Sequence, residues 1–387
     1  MDLRTLPPNL DAEGRCNERR KRVEKNLRLP LSLLAADNDR IGHADERNCE
    51  QMLGCVAVPV GYAGPLSVIF SSKEQRVIHL PLATTEGALV ASINRGCKAL
   101  STNGVRASSV NRGITRSLAF FLPKEGQTFT AALTKNTKDW QAAAEGTSAH
   151  LKLLRFDCDE KDDHIFLTIA FDTDEAMGMN MATIAAQAAG DWIAEHLLPA
   201  TGRFVTVAGN VDSDKKPSLR TKQKGRGYDV SVQATIGAAT IKDVLKTSAQ
   251  AMADIARAKL RAGSTVAMAL GKNLQAANII AALYIATGQD PAHVVEGSLA
   301  DTIVTMERDD LCIAVHLPAI IVGVRGGGTS LPAQKQCLDM LLHPKTSLHR
   351  KAQLAESIGA AVLAGELSLL AAQANHTLAK AHKKLAR

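Results

Sequence analysis

Between residues 117 and 206 the order of apolar and polar runs leaves little choice of fold. Residues 117–122 read as an apolar strand and 136–145 as a polar helix. Residues 151–157 and 165–171 read as two strands joined by the acidic turn Asp159-Glu160-Lys161-Asp162-Asp163. A helix over 177–198 and a last strand over 204–208 complete the run. The succession β-α-β-β-α-β is the ferredoxin-like arrangement and predicts a compact small unit, 117–206. It interrupts a larger one whose halves fall at 46–116 and 207–387, behind a helical N-terminal segment, 1–45. The first half opens on a Gly/Pro-marked turn, Pro59-Val60-Gly61-Tyr62-Ala63-Gly64-Pro65-Leu66.

Aromatic residues make up only 3% of the chain, so its core has to be built from Ala, Leu, Val and Ile. Closely packed helices suit such side chains. Residues 273–287 are almost all apolar, and a helix without a polar face belongs in a core. Residues 243–261 read as amphipathic and 358–384 as a long Ala/Leu-rich helix. The expected fold class is therefore α+β: a helix-rich large domain around a central buried helix, with the ferredoxin-like unit inserted. No run reaches the roughly 18 to 20 apolar residues of a membrane span; the best, 278–287, is too short.

Seven cysteines, with no CxxC pair and no ligand-like Cys/His spacing, point to reduced thiols, a cytoplasmic location and no metal site. The net charge is +7 but scattered. The one dense run, Arg19-Arg20-Lys21-Arg22, reads as the solvated face of a helix. Without an aromatic-basic platform, a nucleic acid partner is not expected; a polyanionic small molecule is.

Four internal blocks and one terminal residue carry chemistry. Thr84-Thr85-Glu86 reads as a helix start with a carboxylate in its first turn, followed by Asn94, Arg95 and Lys98. Asp174-Glu175-Ala176-Met177-Gly178-Met179-Asn180 opens a helix with a glycine, where free N–H groups favour a phosphate. Asp212-Ser213-Asp214-Lys215-Lys216-Pro217 crowds two lysines and two aspartates into one loop. Gly288-Gln289-Asp290-Pro291 ends the apolar helix and leaves Asp290 at the edge of a low-dielectric core. His382 lies five residues from the C-terminus.

In this order the blocks resemble the signatures of the 3-hydroxy-3-methylglutaryl-CoA (HMG-CoA) reductases: TTEG…NRGC, DAMGMN with Glu175 where Asp is usual, DKKP, and GQDP. Leu363-Ala364-Gly365-Glu366-Leu367-Ser368-Leu369-Leu370-Ala371-Ala372 resembles the family's C-terminal helix. The resemblance runs from about Asn48 onward and is closer to the class that includes the eukaryotic enzymes, here as a soluble catalytic portion. It implies reduction of HMG-CoA to mevalonate and CoA by two hydride transfers. Lys215 would stabilise the oxyanion, Glu86 and Asp290 would supply and tune the proton, and His382 would protonate the leaving thiolate. Arg116, Asp214, Lys216, Lys259 and Asn278 correspond to substrate contacts, and Asn94, Arg95 and Lys246 to contacts with the CoA moiety. Met177, Gly178, Met179 and Asn180, with Ser148, His150 and Asp172, correspond to the cofactor site. The implied cofactor is NADPH, with NADH as the alternative, and the implied assembly a homodimer or a higher homo-oligomer.

Three residues depart from the family pattern. Gln275 replaces a histidine, Ala208 a serine, and Ala149 an arginine that grips the 2′-phosphate of NADPH. Gln275 and Ala208 leave open a reductase of another acyl-CoA, and Ala149 leaves open NADH; a CoA-binding protein without catalysis is the further alternative.

Overall fold

The computed structural model describes residues 2–375 apart from Arg4, Leu29, Ala36 and 124–125. Among them are nine strands: β1 (Val60–Ile69), β2 (Gln75–Ala83), β3 (Val105–Phe121), β4 (Lys152–Lys161), β5 (His164–Asp172), β6 (Arg203–Thr206), β7 (Gly227–Ile236), β8 (Asp301–Glu307) and β9 (Asp310–Ile320). The helices that matter here are α1 (Ala12–Leu27), α2 (Leu89–Leu100), α3 (Gly126–Lys135), α4 (Thr137–Glu145), α5 (Met179–His196), α6 (Ala249–Ala256), α7 (Ala276–Ala286) and α8 (Arg350–Ala374).

Six strands form one sheet in the order β2-β1-β3-β7-β9-β8. The other three join it through β3, giving a second order, β4-β5-β3-β6. All pairs are antiparallel except β1 with β3. Strand β3 is thus shared. Its residues Arg106–Gly113 pair with β7, and Ile114–Phe121 pair with β5. The change of partner comes just past a register shift between Asn111 and Gly113.

Each part has its own core. Leu118, Phe120, Trp140, Phe171 and the alanines of α5 fill the space between the β4-β5-β3-β6 strands and helices α3 to α5. The larger core lies between the six-stranded sheet and α2, α7 and α8. Helix α8 is the most enclosed element: residues 351–368 are all buried. Small side chains permit this, because α2 and α8 meet almost backbone to backbone. A Cβ on Gly96 would fall 1.9 Å from the Ala364 carbonyl oxygen. The apolar helix α7 still keeps Asn278 and Ile285 at the surface, so the helix enclosed on every side is α8. Against the expectation of no membrane-length run, α8 is long and apolar enough by length and composition to cross a bilayer. Within the fold, 94% of that window is buried against the rest of the chain.

Other expectations need correction. The 59–66 segment is no turn but enters β1, which absorbs Pro65 at a register shift between Ala63 and Leu66. Residues 159–161 extend β4, leaving Asp162 and Asp163 as the turn. Residues 243–261 do not form one helix, because Lys246 takes a left-handed conformation (φ 58°) between wide helical turns and α6. Arg19 is buried rather than solvated, donating to the Met52 carbonyl from Nη1. The Thr84-Thr85-Glu86 segment lies ahead of α2, whose cap is Ala88 at φ 71°, so Glu86 is not in the first turn. The Thr84 hydroxyl does accept a backbone N–H, that of Glu86, at 3.0 Å.

Candidate active site

Three connections converge on one cavity of about 700 Å³. They are the β5–α5 loop with the first residues of α5 (176–181), the loop bearing Lys215, and the turn after α7 (288–291). The glycine-rich loop 326–329 closes another side.

Lys215 occupies a left-handed backbone conformation, φ 56°, which a non-glycine residue holds only when its surroundings impose it. Its N–H donates to Glu296 Oε1 at 2.7 Å, and its ammonium lies 2.7 Å from Asp290 Oδ2. Both side chains are partly open to the cavity, 41% and 30% exposed. Asp290 also caps the turn that follows, accepting from the Ala292 N–H at 3.0 Å. Burial pushes its carboxyl upward, but the Lys215 and Ala292 hydrogen bonds outweigh that and hold it below the usual carboxylate range.

Beneath this pair lies a buried charge network. The fully enclosed Glu296 accepts from Lys215 N–H, from Arg226 Nη1 at 2.7 Å and from His293 Nδ1 at 3.3 Å. Arg226, equally buried, reaches Asp214 Oδ1 at 2.9 Å and Thr115 Oγ1 at 2.9 Å. Burial raises the Asp214 carboxyl, yet the Arg226 guanidinium beside it prevails and lowers it. Arg116 binds Thr183 Oγ1 at 2.7 Å and pairs with Asp212 at 3.3 Å and Asp214 at 3.7 Å. For Asp212 burial wins, and its carboxyl sits above the ordinary range despite Arg226 and Arg116. Asp214, His293 and Glu296 present ligand atoms within 4.8 Å of one another, a spacing a cation could use. Arg226, paired with both carboxylates, already supplies the positive charge there.

The β5–α5 loop brings backbone close to the cavity. Gly178 caps α5 at φ 94°, where a Cβ would fall 2.3 Å from the Thr173 side chain. No side chain caps α5, so its leading N–H groups remain available at the cavity. The start of α8 braces the loop from below. Lys351 Nζ donates to Thr173 Oγ1 at 3.1 Å and to the Ala176 carbonyl at 3.0 Å. Burial pushes this lysine down to about 8. Asp174 sits between His150 Nδ1 at 2.9 Å and His349 Nε2 at 3.3 Å. Burial raises the Asp174 carboxyl, but hydrogen bonds from those two histidines more than offset it.

Of the residues singled out above, Met177, Gly178, Met179, Asn180, Lys215 and Asp290 line the cavity together. Arg116 and Asp214 belong to the network below, and Lys216 Nζ donates to the Asp214 carbonyl at 3.0 Å. Asp172 lies 4.0 Å from Lys351, and the Ser148 hydroxyl accepts the His150 N–H at 3.2 Å. Glu86 is exposed and accepts from Asn278 Nδ2 at 3.2 Å. Among the described residues no hydrogen bond or ion pair joins that couple to Lys215 and Asp290. Asn94 accepts from the Gly64 N–H, and Arg95 is turned to Ser368, donating to its hydroxyl at 3.0 Å and its carbonyl at 2.6 Å. Lys246 and Lys259 are exposed. His382 lies outside the described residues. Glu296, Arg226, His293 and Lys351 escaped the reading of the sequence; the His293/Glu296 spacing just after Asp290 was the available signal.

A family model described as hydroxymethylglutaryl-coenzyme A reductase matches residues 15–387. The chain belongs to the HMG-CoA reductase family. It is 37% identical over 382 residues to the 3-hydroxy-3-methylglutaryl-coenzyme A reductase of Methanocaldococcus jannaschii, covering 95% of this chain and 92% of that one. The reductase of Drosophila melanogaster is 36% identical over 391 residues, 97% of this chain and 42% of the fly protein. In structure the fold is similar to a class II HMG-CoA reductase from Streptococcus pneumoniae solved bound to NADPH in open conformations. The TM-score is 0.67 at 19% identity, over 92% of this chain and 96% of that one. Within the family's pattern, Gln275 serves packing here: its N–H donates to Glu366 Oε1 at 2.7 Å and its amide to the Gly365 carbonyl at 2.7 Å. Burial raises the Glu366 carboxyl, although Thr302 and two backbone N–H groups donate to it.

Proposed function

We propose that this chain reduces HMG-CoA to mevalonate and CoA with NADPH, in two successive hydride transfers. The observation that carries the reading is the single cavity lined by both the Met177–Asn180 loop and the Lys215–Asp290 pair. The uncapped start of α5 and the side-chain-free Gly178 fit a dinucleotide phosphate. NADPH supplies the hydride when bound. Lys215 directs its ammonium at the oxygen that becomes negative, a contribution of about 3–4 kcal/mol for one well-aimed donor. Its strained backbone, pinned by Glu296, keeps that aim without reorganisation. Asp290, with Glu86, restores the proton that the lysine passes to the oxyanion and so returns it to the charged form, while His382 protonates the departing thiolate.

The working unit in this reading is a cytoplasmic homodimer. Its support is that Glu86 and Asn278 stand exposed as a couple, apart from Lys215 and Asp290, as halves of a site completed by a second copy would. The strand order β4-β5-β3-β6 supports a ferredoxin-like cofactor unit inserted at 117–206. The identity of 36% to 37% with archaeal and fly reductases supports kinship with the class that includes the eukaryotic enzymes. NADH remains the competing cofactor, because Ala149 brings no charge and Asp172 is half-buried beside the loop.

The test is loss of absorbance at 340 nm with HMG-CoA and either NADPH or NADH, on the wild type and on Lys215→Ala. Turnover favouring NADPH, reduced about a hundredfold or more in the variant, is expected. A folded wild type that turns over HMG-CoA with neither nucleotide would overturn the assignment.

A further inference from the structure

Behind the lysine–aspartate pair sits a histidine for which the reaction above has no use. His293 is fully buried, with Nδ1 3.3 Å from Glu296 Oε1 and Nε2 3.9 Å from Asp290 Oδ2. Nε2 has no hydrogen-bond partner. Leaving a buried polar atom unpaired costs about 1–3 kcal/mol, so an imidazole held this way, aimed at the carboxylate of the site, calls for an explanation.

The charges around it supply one. Asp290 and Glu296 face the ring from its own segment, Asp214 and Lys215 from the loop after β6, and Arg226 from ahead of β7. With Asp212 and Arg116, which join the cluster through Asp214, four carboxylates thus meet three cations, Lys215, Arg226 and Arg116. A protonated imidazole makes the cluster neutral, with Nδ1–H on Glu296 and Nε2–H directed at Asp290.

We propose that His293 stores a proton for the reduction and delivers it through Asp290, making it a positioning and supply residue rather than one that touches substrate. The proposal rests on the reductase reading above. When Lys215 gives a proton to the substrate oxyanion, its N–H bond breaks and the O–H bond of the reduced carbon forms. The Nε2–H of His293 then passes its proton to Asp290, and Asp290 passes it on to the neutral lysine amine. Lysine is again an ammonium and Asp290 again a carboxylate. The imidazole is left neutral, donating from Nδ1 to Glu296. One proton has moved and no electrons. Once the lysine lets go, a rotation of the partly exposed Asp290 carboxylate closes the 3.9 Å gap; such contacts are commonly long before substrate binds. A reaction needing two hydrides and two protons per substrate gains a second proton without admitting bulk water.

The experiment compares the wild type with His293→Gln, which retains volume and polarity but cannot carry the proton. We expect kcat to fall about tenfold or more with KM for HMG-CoA unchanged within about twofold. The solvent deuterium isotope effect on kcat should rise, because proton supply becomes limiting. A loss confined to KM, or an unchanged kcat and isotope effect, overturns the proposal. If the variant does not fold, kcat of the wild type against the fraction of D2O decides. A bowed plot marks several protons in flight and supports the relay; a straight line removes it. A wild type that does not reduce HMG-CoA at all removes the reductase reading and the relay together. Turnover with a straight plot removes only the relay.

Discussion

Replacing Lys351 with methionine tests the bracing of the β5–α5 loop, and its size follows from the geometry. Lys351 is 3% exposed, and burial moves its titration from 10.5 to about 8. At about 1.4 kcal/mol per pH decade, keeping the charged form inside costs about 3 kcal/mol below pH 8, net of the attraction of Asp172 and Asp174. The sign is the reverse of the usual salt-bridged carboxylate. The unfolded chain holds this proton up to about 10.5, whereas the folded one releases it near 8. The cost is therefore fully present below pH 8 and fades as the pH rises towards 10.5. Lys351→Met carries no such charge. Urea unfolding of both proteins at pH 7, 8, 9 and 10 should show the wild type gaining on the variant by up to about 3 kcal/mol, nearly all of it above pH 8. Taking the difference between the two proteins cancels the other titrating groups. A difference that stays flat with pH would refute the reasoning. In the same variant KM for the nucleotide should rise, since Thr173 and the Ala176 carbonyl lose their support.

Two glycines allow simpler tests. Gly178→Ala forces a Cβ to within 2.3 Å of the Thr173 side chain at a φ of 94°, so nucleotide KM should rise about tenfold with a stability loss of about 1–3 kcal/mol. Unchanged nucleotide kinetics would show that the loop does not meet the cofactor. Gly96→Ala drives a methyl group into the Ala364 carbonyl, and α2 must lift off α8. A denaturant midpoint lowered by about 1–3 kcal/mol or more is expected, and an unmoved midpoint would contradict the close packing of the two helices.

Local order was legible in the sequence; long-range pairing was not. The strands and helices between 117 and 206 follow from alternating and helical periodicity, and each occurs close to where it was read. The boundary at residue 117 does not mark a break in the backbone, because β3 continues through it and changes partner in mid-strand. Nothing in an apolar run announces a second neighbour. The motifs bearing Lys215 and Asp290 meet in the fold, whereas Glu86 lies ahead of the helix that begins at Leu89, because a hydroxyl accepting a backbone N–H reads locally like a helix start. The buried ions Arg226, Glu296 and Lys351 were missed for one reason. Each is stabilised by a partner at least 70 residues away, and composition or spacing holds no trace of such a pairing. Arg95 illustrates the converse: its motif promised a ligand contact, and tertiary packing directs its guanidinium to Ser368.

Helix α8 touches the β5–α5 loop through Lys351, the start of α7 through Glu366 and α2 through Ser368. These contacts are angular as well as linear, because each depends on which way one residue points around a common axis. Each residue of an α-helix turns the next by about 100°. Inserting or deleting one residue between Lys351 and Glu366 would therefore rotate the two ends out of phase and break the contacts at one of them. Point changes along this stretch can be absorbed one at a time, but changes of length cannot. Natural variation in helix length should accordingly avoid it, and chimaeras with related reductases should be joined outside 350–374.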